Sequence, residues 1–220
     1  MHRYTLVIGN KNYSSWSLRP WLLMRQAGLE FDEIRVPLYV AGSKDTLRRY
    51  GPSAKVPVLL DGELTVWDSL AIAEYLAERH PERGLWPADV AQRALARSIS
   101  AEMHSGFAAL RSNMGMNCRG FFPGLGRSVE VAADIERIQR MWTDCRQRFG
   151  ASGPYLFGTF TVADAMYAPV ALRFKTYAVQ LSTIAQQYAN TVLALRALQE
   201  WVEAARAETE VIPAFEPATP

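Results

Sequence analysis

Three short groups of residues carry the types and spacings that could do chemistry. The first is Asn12-Tyr13-Ser14-Ser15-Trp16-Ser17-Leu18-Arg19, where hydroxyls cluster just ahead of a helical pattern. A hydroxyl there could donate a hydrogen bond to a thiolate, or simply cap the helix, and Ser17 is the expected cap. The second is Val56-Pro57. Proline cannot donate to a ladder, so it stands at a strand start or edge. A cis bond there would turn the chain and present the backbone groups of Val56 to an extended peptide, which could pair with them as an added strand. An ordinary strand-start proline is the alternative. The third is Asp68-Ser69, which opens the pattern Leu70-Ala71-Ile72-Ala73-Glu74-Tyr75-Leu76. A helix N-terminus favours a carboxylate, and Asp68 could hold an ammonium. Helix capping explains the same pair. Together the groups suit a small peptide with both charges at one end.

Four more features are weaker. His104, Phe107 and Arg111 have the spacing of one helix face and could line a pocket mouth. Arg173 could anchor an anion, with a solvent-exposed salt bridge as the default. Thr161 and Asp164 form a capping-box variant and read as structural. His80 and His104 are far in sequence from the serines, and His2 precedes the first strand, so serine-hydrolase chemistry has no local support.

These groups need elements to hold them. Tyr4 to Ile8 and Phe31 to Leu38 read as strands, and Val58 to Leu60 and Leu64 to Trp67 as a hairpin about Asp61-Gly62. Leu18 to Ala27 reads as a helix stopped by Gly28, with Pro20 in its first turn. Thr46 to Tyr50 is a short helical piece, and Ser69 to Glu78 a helix. The stretch from His80 to Asp89 holds Pro81, Gly84 and Pro87 and reads as a linker. Beyond it strand signals vanish. Helical spacing covers Ala91 to Leu110, Val129 to Phe149, Val162 to Arg173 and Val192 to Ala207, while Pro213 to Pro220 reads as irregular. A small sheet with helices, then an all-helical bundle, is the expected fold.

Composition fits this reading. The 220 residues are 49% hydrophobic and 21% charged, and the net charge of +2 offers no argument for nucleic acid or a membrane surface. The apolar run near the start is too short for a signal peptide, and no stretch reaches the length of a spanning helix. Two cysteines, Cys118 and Cys145, suggest neither a disulfide framework nor a zinc site and fit a reducing cytoplasm.

In order along the chain, these motifs resemble those of the cytosolic glutathione transferases, most nearly the zeta class that includes maleylacetoacetate isomerase. Ser14-Ser15-Trp16-Ser17-Leu18-Arg19 matches that class's S-S-C-S-x-R, with Trp16 in place of the cysteine. Val56-Pro57 matches the family's V-P pair with its cis proline. Asp68 to Leu76 matches its acid-or-glutamine–serine pair and following helix, Thr161 to Asp164 its capping box, and Arg173-Phe174-Lys175 an R-F-K run at a substrate arginine. Gly51-Pro52-Ser53-Ala54 stands where the family often has N-P-x-G, and Asp68 is shorter than the usual Glu or Gln.

The resemblance implies an α/β plus all-α protein. Residues 1–80 would be a thioredoxin-like, glutathione-binding domain with a mixed four-stranded sheet, 81–89 a linker, and 90–220 an all-α domain contributing the electrophile site. It implies Ser14 as the catalytic serine with Ser15 beside it at the thiol. Lys55, Val56, Pro57, Asp68 and Ser69 would bind glutathione, and His104, Phe107, Arg111 and Arg173 the second substrate. The activity implied is thiolate attack on a small electrophile, by conjugation or by glutathione-dependent cis–trans isomerisation, in a cytoplasmic homodimer without metal. The alternatives are a non-catalytic binding or scaffold module and a disulfide reductase. The reductase normally needs a local cysteine, and none precedes residue 118.

Overall fold

The computed structural model describes residues 4–216. Its sheet has the strand order β2-β1-β3-β4, built from β1 (Tyr4–Ile8), β2 (Phe31–Arg35), β3 (Val58–Asp61) and β4 (Leu64–Trp67). β1 and β2 are parallel and joined through α1 (Ser15–Gln26), as a parallel pair requires a crossover. β3 runs antiparallel to both β1 and β4, so the sheet is mixed as expected. Leu6, Ile8 and Leu59 face α1 and α3 (Ser69–Arg79) in the main core. Val7 and Val58 face the other way, against Val36 and Leu47 of the segment carrying α2 (Ser43–Arg48). Burial on both faces explains why Leu6, Val7 and Ile8 of β1 follow one another without a polar residue.

The second half is helical: α4 (Val90–Ser105), α5 (Ala108–Asn113), α6 (Val129–Phe149), α7 (Val162–Thr176), α8 (Thr183–Leu193) and α9 (Arg196–Ala207). Nearly every residue of α7 is buried, and it packs on α1, α4 and α8. A helix apolar all round belongs in the middle of a bundle. Its contact with α1 joins the two halves, and Trp142, Tyr167, Tyr188 and Trp201 continue the core begun by the sheet. Among the described residues, no helix is long and apolar enough to cross a membrane.

Several boundaries depart from the sequence reading. α1 begins at Ser15, so Ser14 rather than Ser17 is its N-cap, and Pro20 lies inside the helix rather than in its first turn. β2 stops at Arg35 because Pro37, with no N–H, ends the pairing soon after Val36 donates to Ile8. The helix expected over Ala91 to Leu110 is two helices. The chain breaks at Gly106 and at Phe107, which takes a left-handed φ of 54°. Added methyl bulk at Gly106 would lie 2.8 Å from the Glu102 carbonyl oxygen. α8 was not expected, although Ala185, Tyr188, Ala189 and Val192 have helical spacing and are its buried face. The tail is not wholly irregular: Pro213–Phe215 forms a 3-10 turn, and 217–220 lie outside the described residues.

Candidate functional site

Ser14 and Ser15 are adjacent but differently employed. The Ser14 hydroxyl accepts from the Ser17 amide at 3.3 Å and donates to Ser17 Oγ at 2.8 Å, while Ser17 Oγ also accepts from the Gly9 amide. Ser14 is thus tied into the cap of α1. Ser15 is the first helical residue, and its Oγ accepts from Arg173 Nη2 at 3.4 Å. Its own proton has no acceptor among the described residues.

Arg173 is buried on α7 and also donates through Nε to the Met114 carbonyl. It makes no salt bridge with a described residue, against the default expectation for a lone arginine. Arg19, the last residue of the serine motif, is buried too, with Nη1 3.5 Å from Ser69 Oγ. Burial first, then the charges of Arg173 and Arg111, brings Arg19 down to about 9 against the pull of Asp68. Burial and then Arg111 bring Arg173 down to about 10. Both remain cations at neutral pH.

Asp68 caps α3, as the bland alternative had it: Oδ1 accepts from Leu70 and Ala71 amides. Its backbone is held at φ 76°, a conformation side chains rarely adopt. Its other oxygen lies 3.2 Å from His104 Nε2. His104 therefore reaches the site despite its distance in sequence, and sets its ring edge-on to Trp16 at 5.1 Å. Burial first lowers the His104 pKa, with Arg19 and Arg111 helping and Asp68 opposing.

The expected single face of His104, Phe107 and Arg111 does not exist, because the break at Phe107 separates α4 from α5. Phe107 turns into the core. Arg111 comes back over Trp16, 5.0 Å from the ring centroid, and donates to the His104 and Gly106 carbonyls. Three of the buried polar atoms without a partner in the described structure belong to this cluster: Arg19 Nε, His104 Nδ1 and Arg173 Nη1. Three guanidinium groups and one nearby carboxylate leave an excess of positive charge in a poorly solvated place. An anionic ligand fits such a donor set.

The Val56-Pro57 peptide is cis. Strand pairing of β3 begins at Val58, so the main-chain groups of Val56 lie outside both ladders. Lys55 is exposed, and its amide donates to Ser53 Oγ. A separate cavity of about 470 Å³, lined in part by Phe174, Lys175, Gln180, Gln186 and Asn190, contains none of the residues above.

The loop ahead of the serines is fastened from the far end of the chain, which the sequence reading missed. Glu208 accepts from the amides of Lys11 and Asn12, and Trp201 Nε1 donates to the Lys11 carbonyl. Arg119 donates to the carbonyls of Glu208 and Glu210 and to the Tyr13 hydroxyl, which in turn donates to Glu216. No local periodicity encodes such pairings. Cys118 donates to the Lys11 carbonyl, and burial holds both Cys118 and Cys145 up at about 12. Neither is a thiolate at neutral pH, so cysteine-based exchange has no nucleophile here.

Known proteins share this architecture. The glutathione S-transferase N-terminal domain matches residues 13–79, and the glutathione S-transferase C-terminal domain matches 128–204. A probable maleylacetoacetate isomerase of Caenorhabditis elegans is 38% identical over 99 residues, 44% of this chain and 45% of that protein. A zeta-class glutathione S-transferase of Euphorbia esula is 36% identical over 84 residues, 37% of each chain. The chain spans less than half the length of these curated relatives, at most 45%. A solved glutathione transferase homolog from Burkholderia gl BGR1, with bound glutathione, shares the fold with a TM-score of 0.69 at 24% identity, covering 94% of this chain and 100% of that one. With both domains matched in order on a sheet-then-bundle architecture, the chain belongs to the glutathione S-transferase family.

Proposed function

We propose that the protein binds glutathione and activates its thiol for attack on a small electrophile, by conjugation or by glutathione-dependent cis–trans isomerisation. Residues 1–80 hold glutathione, 81–89 link, and 90–220 supply the electrophile site. The main chain of Val56 pairs with the tripeptide beside Lys55 and Pro57. Ser69 and Arg19 receive its α-carboxylate, and Asp68 its ammonium. Ser15 donates to the sulfur, and Ser14 holds the start of α1 in place. Arg111 and Arg173 receive the carboxylate of an acidic electrophile, with His104 shaping that side. The observation that carries this reading is the uncommitted Ser15 proton next to a buried arginine, at the first turn of a helix.

The energetics suffice. A free thiol has a pKa of about 8.5. Lowering it by about two units takes about 2.7 kcal/mol. One hydrogen bond to the charged sulfur contributes about 1.5–3 kcal/mol. A helix N-terminus contributes up to about 2 kcal/mol in good geometry. Ser15 at the start of α1 can therefore supply the shift, and Arg173 adds in the same direction.

A homodimer in the cytoplasm belongs to the same reading. The dimer is supported by the half-exposed Leu64 and Trp67 on the edge strand β4, and sedimentation of the purified protein measures it.

Serine variants test the site. Ser15→Ala is expected to lose about 10–100-fold in kcat, the worth of one charged hydrogen bond, while calorimetry still detects glutathione binding. Ser14→Ala is expected to cost about 1 kcal/mol of stability as a lost cap, with a smaller effect on kcat. The reverse order of kcat losses would return the catalytic role to Ser14. No heat on titrating glutathione into the unmodified protein would favour the scaffold reading.

A further inference from the structure

Trp16 is the second residue of α1, and three cationic or titratable side chains from three helices converge on its indole. The Arg19 guanidinium lies 4.4 Å from the ring centroid, that of Arg111 lies 5.0 Å away, and the His104 ring meets it at an interplanar angle of 87°. Neither arginine forms an ion pair with a described carboxylate. Arg19 and Arg111 are like charges, and each depresses the ionisation of its neighbours. The ring's negative π face attracts both guanidinium groups. It is the group they share.

Their outer ends lead to different places. Arg19 extends to Ser69. Arg111 is anchored on the turn between α4 and α5 and lies within electrostatic range of Arg173, which extends to Ser15. The indole thus stands where the glutathione side and the electrophile side of the site meet. We propose that Trp16 is a positioning residue that fixes the spacing of Arg19, Arg111 and His104, and so sets how strongly the site prefers acidic electrophiles and how readily the bound thiol ionises. This inference rests on the glutathione reading for its consequences, but its geometric core does not.

Trp16→Phe and Trp16→Leu separate the roles. Both refill much of the space, and only phenylalanine keeps a π face. Three readouts are made on each variant and on the unmodified protein. The first is the NMR titration of the His104 ring in the free protein, identified by its absence in His104→Gln. The groups facing that ring are Asp68, Arg19, Arg111 and Trp16 itself. Leucine is expected to release the arginines and raise the His104 pKa toward its ordinary value, while phenylalanine holds it down.

The second readout is the ultraviolet thiolate signal of the glutathione complex against pH, with its midpoint about one unit higher in Trp16→Leu, a tenfold loss of thiolate below it. The third is steady-state kinetics with an acidic and a neutral electrophile. Trp16→Leu is expected to raise KM for the acidic one about tenfold, with little change in KM for the neutral one, and Trp16→Phe to restore most of the preference. Identical behaviour of the leucine and phenylalanine variants in the His104 titration overturns the inference, as does an equal loss for both electrophiles. If the unmodified protein gives no thiolate signal with glutathione, the reading of the site fails, and the His104 titration still decides the role of Trp16.

Discussion

Asp164 and Arg173 stand near opposite ends of α7, both buried and both ionisable, yet their surroundings are finished to different degrees. Asp164 accepts from the amides of Leu156 and Thr161 and from the hydroxyls of Thr161 and Tyr188. Every one of its partners comes from the protein. Arg173 donates to one carbonyl and one hydroxyl and leaves Nη1 without a described partner, as its neighbours Arg19 and His104 leave one nitrogen each. The first cluster is closed and serves the fold. The second is charged in excess and open, the condition of a site whose remaining partners belong to a ligand. One helix carries both, so the rigidity supplied at one end fixes the geometry used at the other.

The sharpest way to break this contrast is Asp164→Ala. It orphans four donors in the interior, and a loss of about 3–5 kcal/mol in urea unfolding is expected. A loss under about 1 kcal/mol would mean that the cluster is not the closed structural unit described. Arg19→Met probes the open cluster and should move stability the other way. Removing an unbalanced buried charge is expected to raise the stability of the free protein by about 1 kcal/mol. Glutathione affinity should fall about thirtyfold, equal to about 2 kcal/mol for a charged hydrogen bond. If Arg19→Met destabilises as Asp164→Ala does, the cations are structural and the distinction collapses.

The smallest effect comes from His104. Its folded-state pKa is lowered below the ordinary 6.5, so the unfolded chain binds more protons in the window beneath that value. Stability therefore rises with pH through this window, and is lost as acidification protonates the ring in the folded state. His104→Gln should flatten that slope in thermal melts taken below pH 6.5. An unchanged slope would remove the imidazole from the cluster's electrostatics.

Much of the frame was legible because it is written locally. The β1 run, the Thr161–Asp164 cap and the Asp68–Ser69 helix start each depend on a few neighbouring residues, and each formed where expected. The helix break at Phe107 was not legible, since the apolar spacing continues across it. The site was only partly legible. Its candidate serines, Asp68, His104, Arg111 and Arg173 are picked out by the sequence, but the meeting of His104 and Arg111 on Trp16 is tertiary. A tryptophan within a helix reads as core until two guanidinium groups are found over it. Arg19 carries no assigned role in the sequence because its burial is set by tertiary packing.

The grip of Glu208 on the amides of Lys11 and Asn12 spans sequence separations of 197 and 196. A ribosome makes the loop well before the clasp. Until Glu208 is made those two amides lack this partner, and the serines that follow lack its support. The support of this loop therefore comes only when the Glu208 segment folds back onto it, and a chain cut before residue 208 carries the same hydroxyls on an unfinished frame.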